Sequence, residues 1–137
     1  VAAPFGGRWT PFARAYYTSR RLGVDNLTHA AMFRALHEQH RLPLGNATDA
    51  EIATFYTDLG VDRARFLATF NGPEVEADLK RAIDFITRSG VEGTPTVVVN
   101  GKYRVIGGRS YAERLHIVDQ LVAQERAAQR RVAPSKR

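Results

Sequence analysis

Residues 90–103 read GVEGTPTVVVNGKY, and the fold of the chain is decided by this stretch more than by any other. Residues 94–99 are short and largely β-branched, which is typical of a strand. Asn100-Gly101 is the strongest two-residue hairpin signal, because a type I′ turn needs a positive φ at both central positions. Residues 102–106 then read as the returning strand. The stretch therefore predicts a β-hairpin whose first strand begins beside a Thr94-Pro95 bond.

Helical periodicity fills most of the chain before this hairpin. Apolar residues recur at spacings of three and four and predict helices over residues 12–22, 26–40, 48–59, 62–70 and 73–89. Asn26 or Thr28 can cap the second helix, and Thr48 with Glu51 has the spacing of a capping box at the third. Pro73 suits the first position of the longest helix.

A further helix is predicted after the hairpin. Gly107-Gly108 opens a loop, and Ser110 with Glu113 repeats the capping-box spacing. Four apolar residues then form the stripe of the terminal helix: Leu115, Val118, Leu121 and Val122.

The order of helices, hairpin and helix leaves the predicted β-layer incomplete. A two-stranded ribbon is marginal by itself, and a run such as Val97–Val99 is typical of a strand with neighbours on both sides. We expect Val1–Ala3 to be the end of another strand. The half-sheet should expose an apolar edge, so we expect a marginal, association-prone chain or one that another segment completes.

Composition excludes several kinds of chemistry. The 137 residues contain no cysteine, so disulfides, thiolate metal sites and cysteine nucleophiles are excluded for this chain. The length suits one domain, and no apolar run is long enough to span a bilayer. Of the net charge of +6, the last thirteen residues, with five Lys/Arg and one acid, carry +4. We interpret them as a solvated basic tail rather than a nucleic-acid site, because exposed aromatics do not alternate with the basic residues.

The predicted strand, hairpin, Gly pair and terminal helix resemble the second half of a thioredoxin-like domain. The specific sequence of residues 90–103 resembles the DsbA family of thiol:disulfide oxidoreductases. Phe5-Gly6-Gly7, the helix ending Leu22-Gly23-Val24 and the helices through Ser89 resemble the helical domain that this family inserts into its thioredoxin fold. The resemblance covers nearly the whole chain, to about Gln129. It implies an α/β protein, α+β in this portion, with a partial thioredoxin-like fold and an inserted all-helical domain.

The resemblance also assigns boundaries. It implies the end of a thioredoxin-fold strand and a loop at 1–8, and an inserted helical domain with a return helix at 9–90. A thioredoxin-like strand, hairpin and helix follow at 91–125, and a basic flexible tail at 126–137.

Site residues follow from the same resemblance. Pro95 would be the active-site cis-proline, and Gly93, Thr94 and Pro95 would bind an extended substrate chain by β-addition. The family's first strand, its CxxC motif and the helix opened by that motif precede the region that begins at Val1. No catalytic cysteine can therefore be assigned, and the chain is interpreted as a C-terminal portion that is inactive alone.

The activity implied for the intact protein is the introduction of disulfides into exported proteins in the periplasm. Its implied partners are unfolded or reduced exported proteins and a membrane quinone-linked reoxidising protein, without nucleic acid or a cofactor. Two alternatives stay open. One is a redox-inactive thioredoxin-like module that binds peptides, and the other is the glutathione-binding isomerase branch of the DsbA-like superfamily.

Three other groups of residues are interpreted structurally. His29, His37 and His40 share a broad helix face, but no carboxylate or thiol joins them in sequence, so we predict no metal site. The aromatic residues around Tyr16 are predicted to be core, with Trp9 the best candidate for exposure. Glu74, Glu76 and Asp78 lie in the first turns of a helix, where they complement its dipole.

Overall fold

The computed structural model describes residues 1–132 and divides the chain into two compact units, Val1–Asp84 and Phe85–Arg137. The elements are α1 (Trp9–Leu22), α2 (Asp25–His37), α3 (Asp49–Asp58), α4 (Arg63–Phe70), α5 (Pro73–Ser89), β1 (Val97–Val99), β2 (Tyr103–Val105) and α6 (Tyr111–Val132). The predicted order of helices, hairpin and helix is confirmed. No described helix is long and apolar enough to cross a membrane.

Aromatic residues of α3 and α4 form the centre of the first unit. Phe66 is fully buried, and the Tyr56 ring stacks on it with centroids 4.4 Å apart. The Tyr56 hydroxyl donates to the carbonyl oxygen of Ala15 at 3.4 Å, which satisfies its polar end inside the core. Burial raises the pKa of this phenol. The α3–α4 pair therefore packs on α1 through an apolar core with a satisfied polar group.

The predicted capping box at the start of α3 is confirmed. The Glu51 amide donates to Thr48 Oγ1 at 3.2 Å, and the Thr48 amide donates to Glu51 Oε2 at 2.8 Å. The hydrogen bond from the Thr48 backbone lowers the pKa of the Glu51 carboxyl. Two otherwise unpaired donors of the helix are thus satisfied by two side chains that are close in sequence.

The start and end of α2 differ from the prediction. The helix begins at Asp25 and ends at His37, and its N-cap is Val24, which makes no side-chain cap. Thr28 is buried one turn inside and donates to the Val24 carbonyl at 2.9 Å, so neither Asn26 nor Thr28 is the cap. The reason is the short connection from α1, in which Gly23 has φ +71° and the Val24 amide donates to the Ser19 carbonyl. The short connection therefore leaves Val24 at the N-cap position, and the side chain of Val24 cannot accept a hydrogen bond from the first turn of α2.

Ion pairs join α1 to the part of α5 that belongs to the first unit. Arg14 Nη2 lies 2.6 Å from Glu76 Oε2, and Arg21 Nε lies 2.5 Å from Asp78 Oδ2. Asp78 also pairs with Arg81. Burial acts to raise the pKa of Asp78, but the hydrogen bonds from Arg21 and Arg81 outweigh it, and the pKa is lowered. These acidic residues therefore hold arginines as well as lying near the positive end of the helix dipole.

The second unit contains the hairpin and α6. β1 and β2 are antiparallel, with Val97 opposite Val105 and Val99 opposite Tyr103, and α6 contacts both strands. The predicted apolar stripe of α6 is only partly covered. Leu115 is 61% exposed, and the other members are half-buried.

The two ends of the described chain differ in secondary structure. α6 continues to Val132, so residues 126–132 of the expected tail are helical, and residues 133–137 lie outside the described residues. The flexibility expected of residues 126–137 stays a prediction. Good helix formers such as Ala127, Ala128 and Gln129 extend the helix, and Arg130 and Arg131 complement the negative end of its dipole. Val1–Ala3 have no strand assignment in this structure, and their expected place at the end of a strand stays a prediction.

Candidate functional site

Gly93, Thr94 and Pro95 form an exposed ledge immediately before β1, and we use the name ledge for these three residues. All three are exposed, and the Thr94–Pro95 peptide bond is cis, as the sequence predicts. The Thr96 hydroxyl donates to the Gly93 carbonyl at 2.6 Å, which closes a local turn across the ledge. Within residues 1–132 the backbone N–H and C=O of Thr94 make no hydrogen bond. The ledge thus presents a backbone donor and acceptor to solvent.

One edge of β1 is unpaired within the described part of the chain. The sheet there has two strands, and β1 pairs only with β2. Val97, the first residue of β1, is 39% exposed, whereas Val99 at its other end is buried. An unpaired strand edge accepts a further strand through its main-chain groups. The ledge and this edge are continuous along the backbone.

The hairpin turn that follows β1 has the predicted geometry. Asn100 has φ +51° and Gly101 has φ +68°, and the Lys102 amide donates to the Val99 carbonyl at 3.0 Å. Two successive positive φ values are the type I′ signature that Asn-Gly favours. This turn sets the register in which β2 supports β1.

A buried carboxylate of α6 accepts hydrogen bonds from residues on both sides of that turn. Glu125 Oε2 accepts a hydrogen bond from Asn100 Nδ2 at 2.5 Å and one from Lys102 Nζ at 2.8 Å. The Lys102 and Asn100 hydrogen bonds lower the pKa of Glu125, and the same contact raises the pKa of Lys102. Sequence reasoning missed this contact. The available signal was spacing, because Glu125 follows Leu121 by four and Val122 by three and so lies on the apolar stripe.

The end of α5 is packed against β2. Gly90 has φ +63°, and a β-carbon built there would lie 2.8 Å from Nη1 of Arg104. The Arg104 guanidinium therefore lies against the C-terminal end of α5, where a positive charge is favourable. This contact was not predicted, since the two residues lie on different elements.

The histidines of α2 lie in a row of rings. Phe33 stands between His29 and His37, with ring centroids 5.1 and 5.6 Å away, and Tyr16 follows His29 at 5.9 Å. Phe33 is 55% exposed. Residues 1–132 contain no group of three His, Cys, Asp or Glu side chains that could hold a metal ion. Trp9 is 49% exposed, as expected, and meets Phe5 edge to face.

The ledge offers a backbone donor and acceptor, but the chain has no group for thiol exchange. With no cysteine among its 137 residues, it offers neither a nucleophilic thiolate nor a disulfide. The chemistry available at the ledge is therefore hydrogen bonding to a peptide backbone.

Comparison with known proteins identifies the family. The sequence model of the DSBA-like thioredoxin domain matches residues 6–118. This chain belongs to the DSBA-like thioredoxin family. The resemblance of residues 90–103 to this family and the α+β fold class that it implies are confirmed.

The relatives of this DSBA-like chain are thiol:disulfide interchange proteins. It is 36% identical over 130 residues to thiol:disulfide interchange protein DsbA of Pseudomonas aeruginosa, a match covering 93% of the chain and 60% of the relative. It is 34% identical over 131 residues to the protein of that name from Azotobacter vinelandii, covering 94% of the chain and 60% of the relative. The chain thus spans about 60% of the length of these relatives.

Solved DsbA structures share its fold. Oxidoreductase DsbA of Xylella fastidiosa superposes with a TM-score of 0.85 at 47% identity, over 91% of this chain and 66% of that protein. Pseudomonas aeruginosa DsbA superposes with a TM-score of 0.86 at 36% identity, over 95% of this chain and 67% of that protein. The helices of the first unit and the hairpin of the second are therefore those of a DSBA-like protein.

Proposed function

We propose that this chain is the portion of a DsbA-type thiol:disulfide interchange protein that supplies the substrate ledge, with the redox cysteines carried by a segment outside these 137 residues. The observation that carries the proposal is the exposed Thr94 backbone. It is unpaired within residues 1–132 and continuous with a strand edge that is paired on one side only. Because the chain is similar to thiol:disulfide interchange proteins, the chemistry proposed at this ledge is thiol–disulfide exchange.

The proposed organisation follows the sequence boundaries. Residues 1–8 serve as the end of a thioredoxin-fold strand and its loop, residues 9–90 as the inserted helical domain with a return helix, and residues 91–125 as the thioredoxin-like strand, hairpin and helix. In this arrangement the ledge belongs to the thioredoxin-like part, and the inserted helices carry no redox group.

In the complete protein the role of the ledge is to position the substrate chain. An extended substrate segment adds to the β1 edge, and the N–H and C=O of Thr94 hold its backbone. A substrate thiolate then attacks one sulfur of the enzyme disulfide, and the other sulfur leaves as a thiolate. A second substrate thiolate attacks the substrate sulfur of the mixed disulfide, which yields an oxidised substrate and a reduced enzyme. Pro95 contributes no N–H, so its nitrogen cannot compete for a substrate carbonyl.

The proposed setting is the periplasm, where disulfides form and persist. The proposed substrates are reduced or unfolded exported proteins, and the proposed partner is a quinone-linked membrane protein that reoxidises the dithiol. These assignments rest on the thiol:disulfide interchange proteins to which the chain is similar.

A completed protein tests the proposal. An N-terminal strand–helix segment bearing CxxC is joined before Val1, and insulin reduction by dithiothreitol is followed by turbidity. We expect the fusion to accelerate reduction over the unfused chain and over a matched fusion with SxxS. A fusion that folds by circular dichroism and is no faster than the SxxS control contradicts the proposal.

A second function is favoured by the combination of an exposed ledge with a cysteine-free sequence. A redox-inactive module would hold extended peptides at Thr94 and Pro95 without chemistry. Titration of the chain with a short peptide of alternating Ser and Val, followed by amide chemical shifts, tests it. Binding by the unfused chain together with an inactive CxxC fusion would favour this function over the first.

A further inference from the structure

Glu125 is the only buried charged residue among residues 1–132, with 7% of its surface exposed. A buried carboxylate is costly unless it is paired and hydrogen-bonded. Glu125 lies on the face of α6 that packs against the hairpin. The other residues of that face form the apolar stripe of the helix. Nothing in the thiol chemistry proposed above uses Glu125, so its retention in the fold needs a separate reason.

Its partners lie on opposite sides of one turn. Asn100 precedes Gly101 and donates from Nδ2 at 2.5 Å, and Lys102 follows Gly101 and donates from Nζ at 2.8 Å. Both hydrogen bonds end on the same oxygen, Oε2. A turn held from both sides cannot rotate on α6 without breaking one of the two hydrogen bonds.

The turn is connected to the ledge by a stiff path. β1 runs from Val97 to Val99, directly before Asn100, and three successive β-branched residues restrict its side chains. β1 is paired along its length with β2. Upstream, the Thr96 hydroxyl ties the end of the ledge to the Gly93 carbonyl at 2.6 Å. A change in the direction of β1 at the turn is therefore transmitted to Thr94.

We propose that Glu125 is a positioning residue for the ledge, which holds the hairpin turn on α6 and thereby sets the direction in which Thr94 is presented. The interpretation of the ledge as a substrate site rests on the proposed function. The coupling of Glu125 to the ledge does not.

The groups around Glu125 give the coupling a pH dependence. Lys102 and Tyr103 are the titratable groups that face it from the hairpin, and Asn100 is the neutral donor. Protonation of the carboxyl removes the charge that both donors contact. Because the Lys102 and Asn100 hydrogen bonds lower the pKa of Glu125, this change occurs at a pH below the usual carboxyl range.

Amide chemical shifts of the full 137-residue chain test the coupling. The variants are E125A, E125Q and the matched control D119A, which removes an exposed carboxylate of the same helix. We expect E125A to shift the amides of Thr94, Thr96 and Val97 as well as that of Lys102. E125Q retains an acceptor oxygen but not the charge, so its ledge shifts should match those of the wild-type chain at a pH where Glu125 is protonated, and D119A should leave the ledge unchanged. Changes confined to residues 100–102 and α6 would overturn the proposal.

A titration of the unmodified chain covers the case in which E125A does not fold. The Thr94 and Thr96 amides should move with the same acidic midpoint as the Asn100 side-chain amide, and E125Q should abolish this movement. Ledge amides that do not titrate would overturn the proposal. An inactive CxxC fusion, together with a wild-type chain whose ledge amides follow Glu125, would contradict the proposed function and leave the positioning role supported.

Discussion

The guanidinium of Arg104 lies so close to Gly90 that a β-carbon at Gly90 would be 2.8 Å from Nη1. Gly90 also has φ +63°, a backbone conformation that other residues adopt at a cost of about 1–2 kcal/mol. The positive φ therefore favours glycine at the end of α5, whereas the exposed and flexible Arg104 side chain can move away from a β-carbon.

We predict that Gly90→Ala lowers the free energy of unfolding by about 1–2 kcal/mol, because alanine is strained in the left-handed backbone conformation. Urea unfolding followed by circular dichroism measures it. Gly45→Ala is the control, because Gly45 has no positive φ and no atom within 4 Å of a built β-carbon. In an Arg104→Ala background the cost should be nearly unchanged, because the flexible guanidinium can move away at little cost. A clearly smaller cost there would contradict this account and show that the guanidinium contact contributes.

The pairing of Asp78 with Arg21 and Arg81 should make the stability of the first unit depend on pH. The pKa of Asp78 is lower in the folded chain than its usual value. Its contribution is therefore full above the unfolded pKa and is lost as the pH falls through the folded pKa. Asp78→Asn should destabilise the chain at neutral pH and have little effect at a pH below both values.

Urea midpoints measured across acidic and neutral pH test this dependence. Asp58→Asn is the control, because Asp58 pairs with Arg41 at 3.0 Å while both side chains are about half exposed. Exposed pairs are worth at most about 1 kcal/mol. A larger pH-dependent loss for Asp58→Asn than for Asp78→Asn would contradict the assignment of the stronger pair to Asp78.

The core of the first unit should be sensitive to truncation of Phe66. This side chain is fully buried between Tyr56 and Phe70, with ring centroids 4.4 and 5.6 Å away. Phe66→Ala should cost about 3–5 kcal/mol, because it removes buried apolar area and leaves a cavity.

Urea unfolding compares the loss of stability in Phe66→Ala with the loss caused by removing a helix cap. Thr48→Ala removes the hydroxyl that receives the Glu51 amide and should cost about 1 kcal/mol. Losses in the reverse order would mean that the α3–α4 core rearranges around the cavity.

Local features of this structure could be predicted from sequence, whereas long-range features could not. The Asn100-Gly101 turn and the Thr48–Glu51 capping box depend on residues within three positions of one another, and both are observed. The start of α2 depends on how α1 ends, so Asn26 and Thr28 were misassigned as caps.

The candidate site likewise has a local part that the sequence predicts and a long-range part that it does not. The resemblance of one contiguous stretch to a known family points to Gly93, Thr94 and Pro95 as candidate site residues. The carboxylate that holds the neighbouring turn is not identified from the sequence, because Lys102 and Glu125 are 23 positions apart. Burial of Glu125 depends on where α6 packs, and the spacing of its stripe alone does not reveal that contact.

The unpaired edge of β1 should control self-association. Val97 begins this strand and is 39% exposed, and within the described residues β1 pairs only with β2. Edge strands of this kind pair with other chains, and a lysine on the edge opposes that pairing through charge and solvation. Val97→Lys should therefore shift the chain toward the monomer, as measured by sedimentation velocity over a range of concentrations. Leu27→Lys, which replaces a 66% exposed apolar residue on α2, is the matched control and should change association little. If Leu27→Lys dissociated the chain and Val97→Lys did not, association would depend on the helical surface and not on the edge of β1.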